Sequence, residues 1–424
     1  MRGDTIFALS SGRPPAAISV IRISGPGAHG AGERIAGALP EARVAAVREL
    51  RHPDSRELLD EAVVLRFDSP ASSTGEDSVE FQCHGGRAVL DSILGALAAI
   101  EGLRSAEPGE FTRRAFDNGR IDLTEAEGLA DLIEAETESQ RKAALALADG
   151  GLRRQIAEWQ ERMLALSARA ERAIDYDEED EALDLALLRD VGALVGELRS
   201  WLARPRIEPL KDGVRVVIAG PPNAGKSSLI NVIAGQERAI VTEIPGTTRD
   251  HIEVPLAIGG IPLLFTDTAG LRDTADAVEA IGIARAEALA EAADILVWLG
   301  RPTHAPNHGR LIQVQPKCDL PGEETAAALR LSSLTGEGLP QLLSQIDSLA
   351  RTLLPTEDAI ALNRRQAKHV AEAAEALDEA ANAADLVIVA EGLRSARTAF
   401  DRLTGHAGVE DVLDALFGRF CLGK

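Results

Sequence analysis

The chain has 424 residues, 45% hydrophobic and 26% charged, with 45 basic against 67 acidic side chains and a net charge of −22. That length suits roughly two to three domains with ample core. The acidic balance argues against a general nucleic-acid binder held by counterion release, while leaving room for a local basic patch that meets one RNA.

The opening MRGDTIFALSSGRPP is too polar and broken for a signal peptide. Beyond it, AAISVIRISG (16–25), DEAVVLRF (60–67) and SVEFQCHGG (78–86) read as strands, and RAVLDSILGALAAI (87–100) has helical spacing. Residues 1–117 are therefore expected to form an α+β domain. A helical segment, 118–210, follows. Thr124 with Glu127 has the spacing of a capping box. Leu152, Ile156, Trp159, Met163, Leu166 and Ala170 form one stripe of a long amphipathic helix. DYDEEDEALD (175–184) carries seven acids in ten residues and reads as a solvated loop or helix start.

From Lys211 the rhythm changes. VRVVIAG (214–220) is a buried-strand run, and strands then alternate with helices to about residue 350, as in a parallel α/β sheet. HIEVPLAI and IPLLFTDT flank Gly259-Gly260 as a hairpin. The α/β segment is taken as 211–352. In 353–424 Val370, Ala374, Leu377, Ala381 and Ala384 form another helical stripe. Each helical segment alone has little to bury against. The expected architecture is multidomain α/β: an N-terminal α+β domain, one discontinuous all-α domain, and an inserted α/β domain, which its phosphate-loop motif GPPNAGKS (220–227) marks as a Ras-like P-loop domain. No run of about 18 apolar residues exists, so no membrane span is expected. Three widely spaced cysteines, Cys83, Cys318 and Cys421, give no disulfide framework and suit a reducing, cytoplasmic setting. Cys83 and Cys318 read as small fillers.

GPPNAGKS (220–227) is Gly-x-x-x-x-Gly-Lys-Ser directly after a strand and opening a helix, the context that gives this motif its meaning. Backbone N–H groups of such a loop receive phosphate oxygens. Lys226 would spread over the β- and γ-phosphates, and Ser227 would supply a hydroxyl to Mg²⁺. GTTRD (246–250) offers Thr248 as a second Mg²⁺ hydroxyl. DTAG (267–270) offers Asp267 to hold the metal's water and the Gly270 N–H to the γ-phosphate. The residues expected around the nucleotide are Asn223, Ala224, Gly225, Lys226, Ser227 and Ser228; Thr242, Glu243, Ile244, Pro245, Gly246, Thr247 and Thr248; and Asp267, Thr268, Ala269 and Gly270.

Guanine readers of this type use Asn-Lys-x-Asp. Here VQPKCDL (314–320) keeps Lys317 and Asp319 but has Pro316 where Asn would stand. Guanine specificity is expected to rest on Asp319, with weaker affinity. LSSLTGEGL (331–339) would place Ser332, Ser333 and Leu334 against the base. After DTAG comes Leu271, where Ras-type enzymes use Gln to orient water. An acid in RDTADAVEAIG (272–282) is the local substitute.

Taken together, GPPNAGKSSLIN, GTTRD, DTAGLR…VEAIGIARA, PGEFTRRAFDNGRIDLTEAEGLADLI (108–133), EFQCHGG and CLGK resemble the tRNA-modification GTPase family MnmE, also called TrmE, over nearly the whole length. The resemblance implies K⁺ bound by Asn223, Thr242, Ile244 and Thr247, replacing an arginine finger when two GTPase domains pair. It places the water-orienting acid on Glu279. It implies that the N-terminal domain dimerises and binds 5-formyltetrahydrofolate or a related one-carbon folate through Arg22, Glu80, Arg120 (Lys in the usual pattern) and Lys424. Cys421 would be delivered to that pocket; its role there, as nucleophile, acid–base group or packing residue, stays open. The implied catalytic set is Glu279, Cys421, Lys226 and Asp267. The implied partners are a second copy, a flavin-containing MnmG-type subunit and tRNA, and the implied product is an aminomethyl-type group on C5 of the wobble uridine. Two rivals share the GTP motifs: a ribosome-assembly GTPase, which would carry a basic appendage, and a folate-dependent transferase acting on a small metabolite.

Overall fold

The computed structural model describes residues 3–175, 185–236, 238–239, 253–267, 288–320, 329–356, 359–407, 410–420 and 423. They form two compact units. The first comprises Met1–Ala130, Leu152–Arg154 and Asp401–Lys424; the second comprises Asp131–Gly151 and Gln155–Phe400.

The first unit is built on β1 (Thr5–Leu9), β2 (Ile18–Ser24), β3 (Ala46–Arg51), β4 (Leu58–Phe67), β5 (Ser78–His84) and β6 (Leu103–Ser105), with α1 (Ala28–Ala36), α2 (Arg87–Ala98), α3 (Glu110–Asp117) and α4 (Leu123–Glu134, to Ala130). The sheet order is β3-β4-β5-β2-β1-β6. Neighbours are antiparallel except β1 and β6. Side chains alternate between faces. Phe7, Ile21, Ile23, Val79, Phe81 and Cys83 therefore share one face with Val64, and Ile35, Leu90, Ile93 and Leu97 of α1 and α2 close over it.

An ion network fastens α3 to this sheet. Arg104 donates to Asp4 (2.6 Å) and Glu110 (2.5 Å), and Arg114 donates to Asp4 (3.0 Å), Glu110 (3.0 Å) and Glu76 (3.1 Å). Glu110 and Arg114 are buried. Burial pushes the Glu110 carboxyl up, but hydrogen bonds from Arg104, the Glu107 N–H and Arg114 overcome this and hold it below the usual glutamate range. A carboxylate with a depressed pKa stabilises the fold above its unfolded pKa, and that contribution is lost as pH falls through its folded value. Glu110→Gln is therefore expected to cost about 3 kcal/mol at neutral pH, because two guanidiniums lose a buried anion. The gap to the parent should narrow in acid. Urea unfolding at both pH values measures it, and a gap that does not change with pH would contradict the network's role.

The helix Glu410–Phe417 returns to this unit. Leu413, Phe417 and Phe420 pack on Leu123, Ala126 and Ala130 of α4. Gly109 permits the approach: its φ is +71° and a Cβ there would lie 2.2 Å from the Phe417 carbonyl oxygen. The start of α4 corrects the sequence reading. Asp122 Oδ1 accepts from the Glu125 N–H (2.8 Å) and the Thr124 hydroxyl (2.8 Å), and Glu125 reaches back to the Asp122 N–H (2.8 Å). The box is Asp122–Glu125. Thr124 is fully buried and spends its hydroxyl on the aspartate that precedes it.

In chain order the second unit holds α5 (Glu138–Ala148), α6 (Gly151–Asp175, entered from Gln155), α7 (Leu185–Leu202), α8 (Glu208–Asp212), β7 (Val214–Ala219), α9 (Lys226–Gln236), β8 (Arg238–Ala239), β9 (Glu253–Ile258) and β10 (Ile261–Asp267). Then come β11 (Ile295–Leu299), β12 (Leu311–Gln315), β13 (Leu329–Arg330), α10 (Leu339–Leu353), α11 (Arg364–Ala381) and α12 (Leu386–Thr404, to Phe400). The six residues of the long-helix stripe, Leu152 to Ala170, are all buried. Trp159 of that stripe stacks on Phe400 of α12 (5.6 Å) and meets Trp201 of α7 edge-on (5.3 Å). Its indole N–H donates to Glu197 (2.8 Å). Chain segments on both sides of the α/β region thus build one helical core. In α11 Val370, Ala374 and Leu377 are buried as expected, but Ala380 continues the stripe. The helix ends at Asn382, so Ala384 falls outside it and is exposed.

The α/β sheet runs β13-β12-β11-β7-β10-β9-β8. Only β9 runs against the others, through the expected hairpin: Gly259 (φ +58°) and Gly260 (φ +80°) both take the left-handed conformation of a type I′ turn. The strands are apolar runs because both faces are covered, as in parallel sheets generally.

Candidate functional site

The nucleotide site grows from the carboxyl end of β7. Gly220 leaves the strand at φ +153°, where a Cβ would lie 2.4 Å from the Leu299 carbonyl oxygen of neighbouring β11. Asn223 (φ +60°) and Gly225 (φ +97°) complete the curl, and α9 begins at Lys226 with its N–H groups turned toward the loop. Lys226 is buried, and its ammonium donates to the carbonyls of Gly220 (3.0 Å) and Pro221 (3.1 Å). Ser227 Oγ donates to Asp267 Oδ2 (2.6 Å), and Asp267, last residue of β10, is buried. A hydroxyl and a carboxylate held together at a phosphate loop are the hard oxygen donors that Mg²⁺ takes. This donor set fits the expected metal, with Ser227 as ligand and Asp267 behind it.

The loop carrying Lys317 and Asp319 is tied to the phosphate loop. Lys317, itself at φ +57°, donates through Nζ to the Asn223 carbonyl (2.8 Å). The Cys318 N–H reaches the Leu331 carbonyl (3.2 Å), which links this loop to the one carrying Ser332. Ser332 is fully buried, and its hydroxyl accepts from the N–H groups of Leu334 (3.2 Å) and Thr335 (3.1 Å), so it shapes the loop. Ser333 is half-buried and Leu334 is 86% exposed. Asp319 is exposed, with no hydrogen bond among the described residues. Its acceptor oxygens are thus open to a base, whereas Pro316 offers no side-chain donor or acceptor. Asp319→Ala is expected to weaken GTP binding by about tenfold or more, the scale of a lost charged hydrogen-bond pair, and to remove the preference for GTP over ATP. Competition titration with both nucleotides checks this, and an unchanged preference would move base reading elsewhere.

Ala224, Gly225 and Ser228 lie in the phosphate loop and first helical turn as expected. Thr242, Glu243, Ile244, Pro245, Gly246, Thr247, Thr248, Thr268, Ala269, Gly270, Glu279, Cys421 and Lys424 lie outside the described residues. Of the K⁺ set only Asn223 is described; it is exposed, with its side chain open to solvent.

A second polar site lies on the N-terminal sheet. Arg22 of β2 pairs with Glu80 of β5 in register, and Arg22 Nε donates to Glu80 Oε1 at 2.8 Å. Their side chains are 24% and 16% exposed. The guanidinium also lies 5.7 Å over the Phe111 ring of α3. This face is opposite the helix-covered core. Ala8 pairs with Arg22, and the Ser10 N–H reaches the Val20 carbonyl (2.7 Å) while Val20 pairs with Gln82. Alternation therefore sets Arg22, Glu80, Gln82 and Ser10 on one surface. Arg120 sits beyond α3 beside Gly75, and no hydrogen bond or ion pair among the described residues joins it to Arg22 or Glu80. Cys83 points to the other face. Burial, with the nearby Asp60 carboxylate, pushes its thiol up to about 11, so it is no nucleophile near neutral pH. Burial, with the Glu337 carboxylate, also raises the Cys318 thiol. Gln82 and Ser10 were missed by sequence reasoning; strand register alone could have picked out Gln82.

Comparison with known proteins bears on the whole chain. A family model for the MnmE helical domain matches residues 123–421, and one for the GTP-binding protein TrmE N-terminus matches residues 5–120. The chain belongs to the MnmE family. Relatives named tRNA modification GTPase MnmE include one from Erythrobacter litoralis, 54% identical over 99% of this chain and 100% of that protein. Others come from Novosphingobium aromaticivorans and Zymomonas mobilis, each 50% identical over 99% of this chain and all of theirs. The phosphate loop of this MnmE-family chain is thus part of a GTPase, and its N-terminal sheet and helical core are those of the family. No helix among the described residues is long and apolar enough to cross a membrane.

Proposed function

We propose that this chain is the GTP-hydrolysing subunit of a complex that modifies C5 of the tRNA wobble uridine. It acts with a flavin-containing MnmG-type partner and a one-carbon folate to install a (carboxymethyl)aminomethyl-type group. The observation that carries the reading is the pairing, in one chain of this family, of a complete phosphate loop with a separate half-open sheet face bearing Arg22 and Glu80. A paired guanidinium and carboxylate suit a folate, which carries both amide-like hydrogen-bonding groups and acidic groups.

Segments 118–210 and 353–424 are assigned to one helical domain around the GTPase domain 211–352, with 1–117 as the folate and dimerisation domain. Within the GTPase domain Lys226 holds the phosphates, and Ser227 with Thr248 holds Mg²⁺, whose charge offsets that of the phosphates. Asn223, Thr242, Ile244 and Thr247 would hold K⁺ when two such domains pair, and a monovalent cation held there would offset phosphate charge during hydrolysis. Hydrolysis drives rearrangement of the complex, and the uridine chemistry belongs to the folate and flavin sites. The net charge of −22 agrees with most tRNA contacts lying on the partner.

Mass spectrometry of wobble uridines from a deletion strain tests the reading. Loss of the C5 group is expected, and unchanged uridines would overturn it in favour of a ribosome-assembly GTPase or a small-metabolite transferase. Replacing K⁺ by Na⁺ should slow GTP hydrolysis markedly; equal rates would remove the K⁺ role.

A further inference from the structure

Within the first unit, α1 meets the connection between β4 and β5 through a histidine set among oxygens. His29, in the first turn of α1, has Nε2 at 3.1 Å from the Phe67 carbonyl and 3.5 Å from Asp68 Oδ1, and Nδ1 at 3.7 Å from Asp77 Oδ2. Both ring nitrogens face acceptors, yet a neutral imidazole has one N–H to give. That N–H is assigned to Nε2, because the Phe67 carbonyl is the nearest acceptor. The Nδ1 lone pair then points at a carboxylate, and a cation belongs between them. The 3.7 Å separation is too long for a shared proton, since charge-assisted hydrogen bonds run about 2.7–2.9 Å. It is nearer the ~3.4 Å between two atoms that each stand about 2.1 Å from one ion at tetrahedral angles.

The surroundings hold these groups in place. Asp68 Oδ1 accepts from Arg66 Nε (2.8 Å) and Asp77 Oδ1 from the Ser69 N–H (2.8 Å), so each carboxylate is steadied through one oxygen. The connection is pinned as well: the Ser69 hydroxyl donates to the Gly75 carbonyl (2.9 Å), the Gly25 N–H to the Asp77 carbonyl (3.0 Å) and the Asn118 amide to the Thr74 carbonyl (2.8 Å). Among the described residues, His29, Asp68 and Asp77 are the one group of three such side chains whose ligand atoms all lie within 4.8 Å of one another. We propose that His29 Nδ1, with one oxygen each from Asp68 and Asp77, forms a divalent-metal site for Zn²⁺ or a similar first-row ion, which clips α1 to the β4–β5 connection. One imidazole and two carboxylates, with a water in the fourth position, suit Zn²⁺, whereas Mg²⁺ prefers an all-oxygen, near-octahedral shell. The Nε2–H bond to a backbone carbonyl is the second contact that orients a metal-binding histidine. All three side chains are half-buried, which lets an ion enter from solvent and lets the carboxylates rotate onto it.

The test uses the full chain, stripped with a chelator and then kept in excess Mg²⁺ and GDP so that the phosphate loop is already occupied. Zn²⁺ is titrated by calorimetry into the parent, His29→Gln, Asp77→Asn and a control, His84→Gln, which alters an exposed histidine paired with Asp60 (2.7 Å). One Zn²⁺ per chain is expected in the parent and in the control. His29→Gln and Asp77→Asn should each weaken it by about hundredfold or more, since losing an outer-shell partner alone costs roughly 10–100-fold. Saturating Zn²⁺ should raise the melting temperature of the parent but not of His29→Gln, because an ion that binds the folded chain stabilises it. GTP hydrolysis measured without Zn²⁺ should stay at the parental rate in both variants. Asp77→Asn keeps an acceptor for the Ser69 N–H, so it carries the test if His29→Gln does not fold. Co²⁺ in place of Zn²⁺ should show visible bands without sulfur-to-metal charge transfer. Parental Zn²⁺ affinity in either folded variant, loss of the ion in His84→Gln, a sulfur charge-transfer band, or no Zn²⁺ on the parent would each overturn the site.

Discussion

Lys226→Ala and Asp267→Asn are each expected to lower GTP turnover by about two to four orders of magnitude, the range for removing one preorganised electrostatic group. For Lys226 the reason is its placement. The ammonium is buried at the head of α9 and bridges two loop carbonyls, so it stands over the site where loop N–H groups converge. Alanine leaves those N–H groups in place but removes the mobile positive charge that can follow the phosphates. For Asp267 the reason is its hold on Ser227. The 2.6 Å contact fixes that hydroxyl, and the carboxylate supplies the negative charge that would suit the pair to a cation. Asparagine keeps the volume and one acceptor but loses the charge. Steady-state kinetics with a parallel melting curve separates turnover from folding. Turnover within about threefold of the parent, in a folded variant, would remove the residue from the working site.

The phosphate loop was legible because its signal is local: glycines at fixed spacing, a strand before and a helix after. The hairpin was legible for a similar reason, since two glycines demand a turn and apolar runs flank them. What escaped was non-local. TIFAL, inside the polar opening stretch, is β1, paired with β2 and β6 near one edge of the sheet; nothing within a short window distinguishes it from a loop. β3 reads AVRELR and is an edge strand, where one exposed face dilutes the apolar pattern. The network joining Asp4, Arg104, Glu110 and Arg114 spans 110 residues, and its members look individually like surface charges. The Ser10–Gly423 contact spans 413 residues and has no sequence signature at all. The α6 stripe is buried as its spacing implies, and the α11 stripe runs to Ala380 rather than Ala381, because periodicity fixes a face better than an end. Lys317 and Asp319 stand out in the sequence through the motif alone. That Lys317 would hold the Asn223 carbonyl follows only from the fold bringing two loops together.

Glu279→Ala is expected to leave GTP affinity within about threefold of the parent and to slow hydrolysis by about two to four orders of magnitude, the usual yield of one positioned acid–base group. Leu271 occupies the place where a glutamine would orient water, and an aliphatic side chain neither donates nor accepts. Lys226 can offset phosphate charge, but its ammonium cannot accept a hydrogen bond from the attacking water. A carboxylate can, and Glu279 lies in the VEAIG stretch shortly after DTAG. The conservative variant Glu279→Gln refines the assignment. A glutamine carbonyl still accepts a hydrogen bond but cannot take a proton, so substantial recovery over alanine means orientation is the main contribution, and none means the negative charge is needed. Single-turnover hydrolysis with equilibrium binding separates the two effects. Hydrolysis at the parental rate in Glu279→Ala would assign the water to another group, with the remaining acids of 272–282 next in line.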